Sequence, residues 1–346
     1  MEGFQYIYSS KDTFKNENDN TRKEILKIKD KYEEDRKMDN INAIEIRDLT
    51  KSFKGMYALN GLSMTVPVGS IYGFIGENGS GKSTTEKLIC GLLVPDYGDI
   101  KLFGKDYTDP GVRVRVGALI ENAGCFPGSS VWTNLMMQAI NLGIENKEEE
   151  IERVLRIVRM EENKNVKFKK CSLGMKQRIG IAMALLGDPK LLILDEPING
   201  LDTDGMRIMR EILVDLSKNH NITILISSHI LGELEKIATH YGIIRQGKMI
   251  QELSAKDMDG RSRVFTTIKT KDMNKALTVL KEKFSNVRLE EENIRIYDED
   301  NTEMIVDYLF KNGCVVSEVK KNKIGLEEYY IELMNQEGGL AKWKIK

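Results

Sequence analysis

Eight residues constrain this chain's fold more than any others: Gly76-Glu77-Asn78-Gly79-Ser80-Gly81-Lys82-Ser83 fit the pattern G-x-x-x-x-G-K-[ST]. The apolar run Ile71 to Ile75 ahead of them reads as a buried strand, and Thr84 to Cys90 behind them reads as the start of a helix. A strand, a glycine loop and a helix in that order aim the loop amides and the helix N-terminus at one anion. Glycine is required because side chains would hold a phosphate away from the backbone. Lys82 then reaches the β- and γ-phosphates, Ser83 offers its hydroxyl to Mg²⁺, and Thr84 completes the contact at the helix start. Residues Gly76 to Thr84 are thus the expected ATP-binding loop of an α/β sheet.

From Ile44 to about Ile250, β-rich runs alternate with helical patterns, as in a mainly parallel sheet with crossover helices. Strands are expected at Ala43 to Arg47, Ile71 to Ile75, Leu191 to Leu194, Ile222 to Ser227 and Tyr241 to Arg245. Asn122 to Leu186 reads almost wholly as helix, notably Lys147 to Val158 and Met175 to Leu186, and is expected to be a helical insertion. After Asp257 the order becomes strand, helix, strand, strand, helix, strand, from Val264 to Val319, which is the split ferredoxin-like arrangement. The expected domains are an ATP-binding domain over 41–257, with a helical subdomain over 122–186, and an α+β accessory domain over 258–346. A last amphipathic helix, Gly325 to Met334, is expected to pack on the accessory unit through Tyr329 and Tyr330.

Residues 1–40 are rich in Lys, Glu, Asp and Asn and carry too little apolar surface to fold alone, so they read as an extension. Charge stands there where a signal peptide would need an apolar core, and Met38 offers an alternative start of translation. A net charge of −1 with 30% charged residues leaves no electrostatic footprint for a polyanion, so no nucleic-acid partner is expected. The basic tail Lys342, Lys344 and Lys346 is too short to supply one. Four well-separated cysteines show no metal-ligand or C-x-x-C spacing. The longest apolar runs fall far short of the roughly 20 residues of a membrane helix.

A second apolar strand ends in acids, Leu191-Leu192-Ile193-Leu194-Asp195-Glu196. With the phosphate loop upstream, Asp195 is the expected holder of a Mg²⁺-bound water and Glu196 the general base that polarises the attacking water. Ser227-Ser228-His229 follows another apolar run, placing His229 at a strand's carboxyl end, where open α/β sheets bind ligands. His229 is a candidate to touch the γ-phosphate or orient the water, the competing reading being a surface histidine.

Together these parts resemble the ATP-binding subunit of ATP-binding cassette transporters over about residues 41 to 250. Cys171-Ser172-Leu173-Gly174-Met175-Lys176-Gln177-Arg178 is similar to that family's signature segment. The resemblance implies that Ser172 and Gly174 of one subunit cap the ATP held by a second, and that the loop Gly200-Leu201-Asp202 passes between the two. It also implies that Phe53 stacks on adenine, although a core phenylalanine is the competing reading. Two positions depart from the common pattern: Leu173 and Met175 replace a glycine and a glutamine, and Glu121 stands where a glutamine links metal to permease. Glu121 still offers an oxygen to Mg²⁺.

The strings Ala118-Leu119-Ile120-Glu121 and Ser172 to Arg178 resemble the subgroup associated with bacitracin resistance and lantibiotic immunity. That implies an ATPase subunit, a homodimer on the inner face of the cell membrane, that powers export of an antimicrobial peptide through a separate transmembrane permease. The alternative is a soluble cassette ATPase acting on ribosome or DNA, against which stand the single phosphate loop and the absence of a sustained heptad.

Overall fold

The apolar runs are unbroken because the central sheet is buried on both faces. The structure is a computed structural model that describes residues 42–261, 264–290, 293–297, 301–323 and 325–336. The expected N-terminal extension and the basic tail lie outside the described residues. In chain order the elements begin with β1 (Asn42–Phe53), β2 (Met56–Pro67), β3 (Ile71–Ile75), α1 (Lys82–Ile89), β4 (Tyr97–Leu102), β5 (Lys105–Asp106), α2 (Pro110–Arg113) and β6 (Val116–Leu119). Three helices follow, α3 (Val131–Asn141), α4 (Lys147–Ile157) and α5 (Leu173–Leu185). Then come β7 (Leu191–Asp195), α6 (Thr203–His220), β8 (Thr223–Ser228), α7 (Leu231–Leu234), β9 (His240–Arg245), β10 (Lys248–Ser254) and α8 (Ala255–Arg261). The chain continues through β11 (Val264–Thr270), α9 (Met273–Lys283), β12 (Val287–Glu290), β13 (Asn293–Tyr297), α10 (Thr302–Lys311), β14 (Val316–Lys323) and α11 (Leu326–Gln336).

The central sheet has the order β10-β9-β3-β8-β7-β6 and is parallel except for β10. Alternate residues serve opposite cores. Ile71, Ile75, Leu192, Leu194, Ile224 and Ile226 face the core shared with the helices, while Tyr72, Phe74, Leu191, Ile193 and Leu225 face the other side. Of the strands before α2, β1, β2, β4 and β5 do not extend this sheet as the sequence pattern suggested. They build a second, antiparallel sheet, β2-β1-β4-β5, whose strands β1 and β2 mix buried with exposed residues because only one face is covered. The helical block lies close against the edge strand: a Cβ at Gly117 of β6 would stand 2.0 Å from the Ala184 carbonyl oxygen of α5.

The C-terminal strands form the order β12-β13-β11-β14, all antiparallel, with α9 and α10 packed over Ile268, Ile294 and Ile296. This is the ferredoxin-like arrangement, and the expected boundary at 257 falls inside α8. The last helix departs from expectation. Instead of closing the accessory unit alone, α11 returns to the ATP-binding unit: Leu326 and Tyr330 are buried in the same core as Leu231, Leu234 and Leu253. Tyr329 bridges the two units, packing by Phe265 and Tyr297 while its hydroxyl donates to Gln251 Oε1 at 2.8 Å. Apolar surface decides the outcome, since Leu326 and Tyr330 are buried in the cluster that also holds Leu231 and Leu234 of α7. Tyr330→Ala is therefore expected to destabilise the whole chain by about 3 kcal/mol in chemical denaturation, as for other buried aromatics cut to alanine.

Candidate functional site

The phosphate loop leaves β3 at its carboxyl end and runs into α1. Gly76 admits no side chain, because a Cβ would meet the Ile244 carbonyl oxygen and Ser80 Oγ, each at 2.5 Å. Gly79 and Gly81 take positive φ values of 79° and 115°, which favour glycine. Gly81 caps α1 with no side-chain hydrogen bond, so the first-turn amides stay available to an anion. Lys82 is buried, and its Nζ donates to the carbonyl oxygens of Gly76 (2.6 Å) and Glu77 (3.1 Å), so the loop wraps its own lysine. Burial lowers its pKa, while Glu196, Glu86, Asp195 and Glu77 act in the opposite direction.

The acids from β7 meet this loop. Ser83 Oγ donates to Asp195 Oδ2 at 3.4 Å, and Ser227 Oγ donates to Asp195 Oδ1 at 2.9 Å. The same Ser227 oxygen accepts the Glu196 amide at 3.1 Å. Glu196 adopts φ 46°, a left-handed conformation that is costly for a side-chain-bearing residue and points to a functional site. Its Oε2 accepts from Asn199 Nδ2 at 3.1 Å and lies 2.9 Å from His229 Nδ1, which donates in the tautomer carrying a proton there. His229 is thus joined to Glu196 rather than left alone at the surface. Ser227 and Asn199 were missed as site residues. The only signal was Ser227's place at a strand end, and it gains meaning from the β7–β8 register, which sets it opposite Asp195.

Other candidates stand elsewhere. Phe53, the last residue of β1, is 44% exposed with Lys51 Nζ 5.6 Å from its ring centre, so it is not a core phenylalanine. Glu121 is engaged with Lys87 Nζ at 2.7 Å instead of with Ser83 or Asp195, and its carboxylate is largely exposed. Ser172 caps α5 by accepting from the Met175 amide, and Asp202 caps α6 by accepting from the Gly205 amide. Together with Gly174, Gly200 and Leu201 they line a cleft of about 380 Å³. No residue of the phosphate loop lines it.

Glu86 of α1 was also missed. It is fully buried, and burial first and then Asp195 push its carboxyl up to about 8, from an ordinary value of 4.5. The folded chain therefore holds a proton that the unfolded chain releases across that interval. The stability contribution is complete below about pH 4.5 and is lost as pH rises through about 8. Urea denaturation across this range is expected to show a steeper fall with pH for the native chain than for Glu86→Gln.

An ABC transporter family model matches residues 59–199. The bacitracin transport ATP-binding protein BcrA of Bacillus licheniformis is 37% identical over 297 residues, covering 84% of this chain and 97% of that protein. The lantibiotic transport ATP-binding protein SrtF of Streptococcus pyogenes is 40% identical over 217 residues, 63% of this chain and 92% of its own length. Among solved structures, cbiO1 of Clostridium perfringens, part of the ABC transporter complex cbiONQ, superposes with a TM-score of 0.59 at 27% identity, covering 64% of this chain and 92% of that one. Both the site and the likeness over 84% of the chain lead to the same conclusion: the chain belongs to the ABC transporter family, as one of its ATP-binding, ATP-hydrolysing subunits.

Proposed function

We propose that this subunit powers export of a peptide antibiotic of the bacitracin or lantibiotic kind through a separate membrane permease, to which it binds on the inner face of the membrane. One observation carries the substrate class. The 297 residues aligned with the bacitracin transport protein exceed everything up to residue 261, so the likeness runs on into the accessory unit. A permease must supply the path, because none of the described helices is long and apolar enough to cross a membrane.

Lys82 and the amides at Gly76 to Thr84 bind the β- and γ-phosphates, and Phe53 offers an exposed ring to the adenine. Ser83 and Asp195 suit Mg²⁺: both present hard oxygen donors, and Ser227 occupies Asp195 Oδ1, leaving Oδ2 facing Ser83. The metal ion, when bound with ATP, neutralises charge on the phosphate oxygens. Glu196 takes a proton from the attacking water, with its carboxylate oriented by His229 and Asn199. Glu121 would add a metal oxygen only after leaving Lys87. The cleft of Ser172, Gly174 and Asp202 holds no phosphate loop of its own, which supports a second copy whose ATP it caps across a dimer interface.

Glu196→Gln is expected to lower the rate of phosphate release by about a hundredfold or more while fluorescent ATP still binds. Lys82→Ala is expected to weaken ATP binding itself, and Ser227→Ala to slow turnover with little change in ATP affinity. A Glu196→Gln protein working at the native rate would remove the base from Glu196. Export is tested in the chain's own cells: deleting the gene should lower tolerance of bacitracin or a lantibiotic, restored by the native chain but not by Glu196→Gln. Unchanged tolerance of both would overturn the substrate class and leave the ATPase standing.

A further inference from the structure

Helix α4 ends on a residue that its backbone does not favour. Beyond Ile157 the amides of Arg159 and Met160 turn back to the carbonyl oxygens of Arg156 (3.1 Å) and Leu155 (2.9 Å), the closing pattern in which the left-handed position is usually glycine. Here that position is Arg159, at φ 58°. An arginine is strained where glycine would be relaxed, which directs attention to what the side chain reaches.

Arg159 stands between two helices. Its carbonyl oxygen accepts from Arg178 Nη1 of α5 at 2.8 Å, and its own Nη1 donates to Glu211 Oε2 of α6 at 2.6 Å. The other oxygen of Glu211 accepts from Arg207 Nη1 at 2.8 Å, and Arg207 Nη2 reaches Asp204 Oδ1 at 3.4 Å. Arg178 and Asp204, the two ends of this relay, line the cleft of Ser172, Gly174 and Asp202, whereas Arg159 and Glu211 do not. The relay therefore joins one wall of the cleft, the start of α5, to the other, the start of α6, through residues that a ligand in the cleft would not touch.

We propose that Arg159 and Glu211 are positioning residues that hold the two walls at the separation needed to receive the ATP of a second copy. This rests on the reading of that cleft as the cap on a partner's ATP. The pair acts by raising the fraction of subunits whose cleft is ready, and apparent affinity between copies follows that fraction. An exposed ion pair changes such an equilibrium by about threefold. Two copies capping each other use the cleft twice, so about tenfold is at stake in dimerisation, while ATP binding to the single subunit draws on the phosphate loop alone.

The test is sedimentation velocity in MgATP on the Glu196→Gln chain, alone and with Arg159→Gly, Glu211→Gln or both added. Each addition is expected to weaken ATP-driven dimerisation by about tenfold, and both together by no more than one, because either change breaks the same pair. Fluorescent ATP binding to the dilute single subunit should stay within about twofold, and Arg159→Gly also removes the strained backbone, so a merely structural role would not produce the loss. Dimerisation within about twofold of the Glu196→Gln chain in either variant would overturn the proposal. So would losses that multiply in the double variant, or a loss matched by equally weakened ATP binding. A Glu196→Gln chain that binds ATP without dimerising removes the capping reading as well; one that dimerises regardless of Arg159 and Glu211 defeats this inference alone.

Discussion

The register among β3, β8 and β7 holds the site together. Parallel pairing sets Ile75 beside Ser228 and Asp195 beside Ser227, so the phosphate loop, the acids and the serine–histidine segment emerge at one edge of the sheet. Because every side chain along these strands is buried in one of two cores until the last residues, polar chemistry has only the carboxyl ends to occupy. A slip of one residue in β7 would turn Asp195 away from Ser83 and send its apolar neighbours to the wrong core.

Within that edge the electrostatics are dense. Lys82 is the buried cation on which Glu196, Glu86, Asp195 and Glu77 all act, and burial works against its charge. Such a pocket is poorly matched to itself and well matched to a nucleotide with a divalent cation, which together change both the sign and the number of charges present. The left-handed backbone at Glu196 is a related cost. It turns the chain so that the side chain meets His229 and Asn199 while the amide is held by Ser227.

The accessory unit is tied to this machinery by packing. Helix α11 starts after β14, the last strand of the ferredoxin-like sheet, yet buries Leu326 and Tyr330 in the core beneath the central sheet. Arg245, in β9 beside β3, donates to the Met334 carbonyl oxygen at 3.5 Å. The strand that neighbours the phosphate-loop strand therefore also touches the end of the accessory unit.

Local chemistry made much of this legible in advance. The glycine loop, the apolar strands around it, the acids after Leu194 and the βαββαβ order after Asp257 are all set by spacing over a few residues, and the structure places each where those patterns put it. What the tertiary structure alone decided involves residues far apart in the chain. Ser227 matters because it pairs across 32 positions with Asp195, and Glu86 because a helix face that looks polar in sequence is closed over by the sheet. Likewise, β1 and β2 form their own antiparallel sheet, and α11 leaves its neighbours for a more distant core. Sequence pattern states which face of an element is apolar; only the assembled chain determines which surface meets it, since burial is a property of the partners and not of the segment.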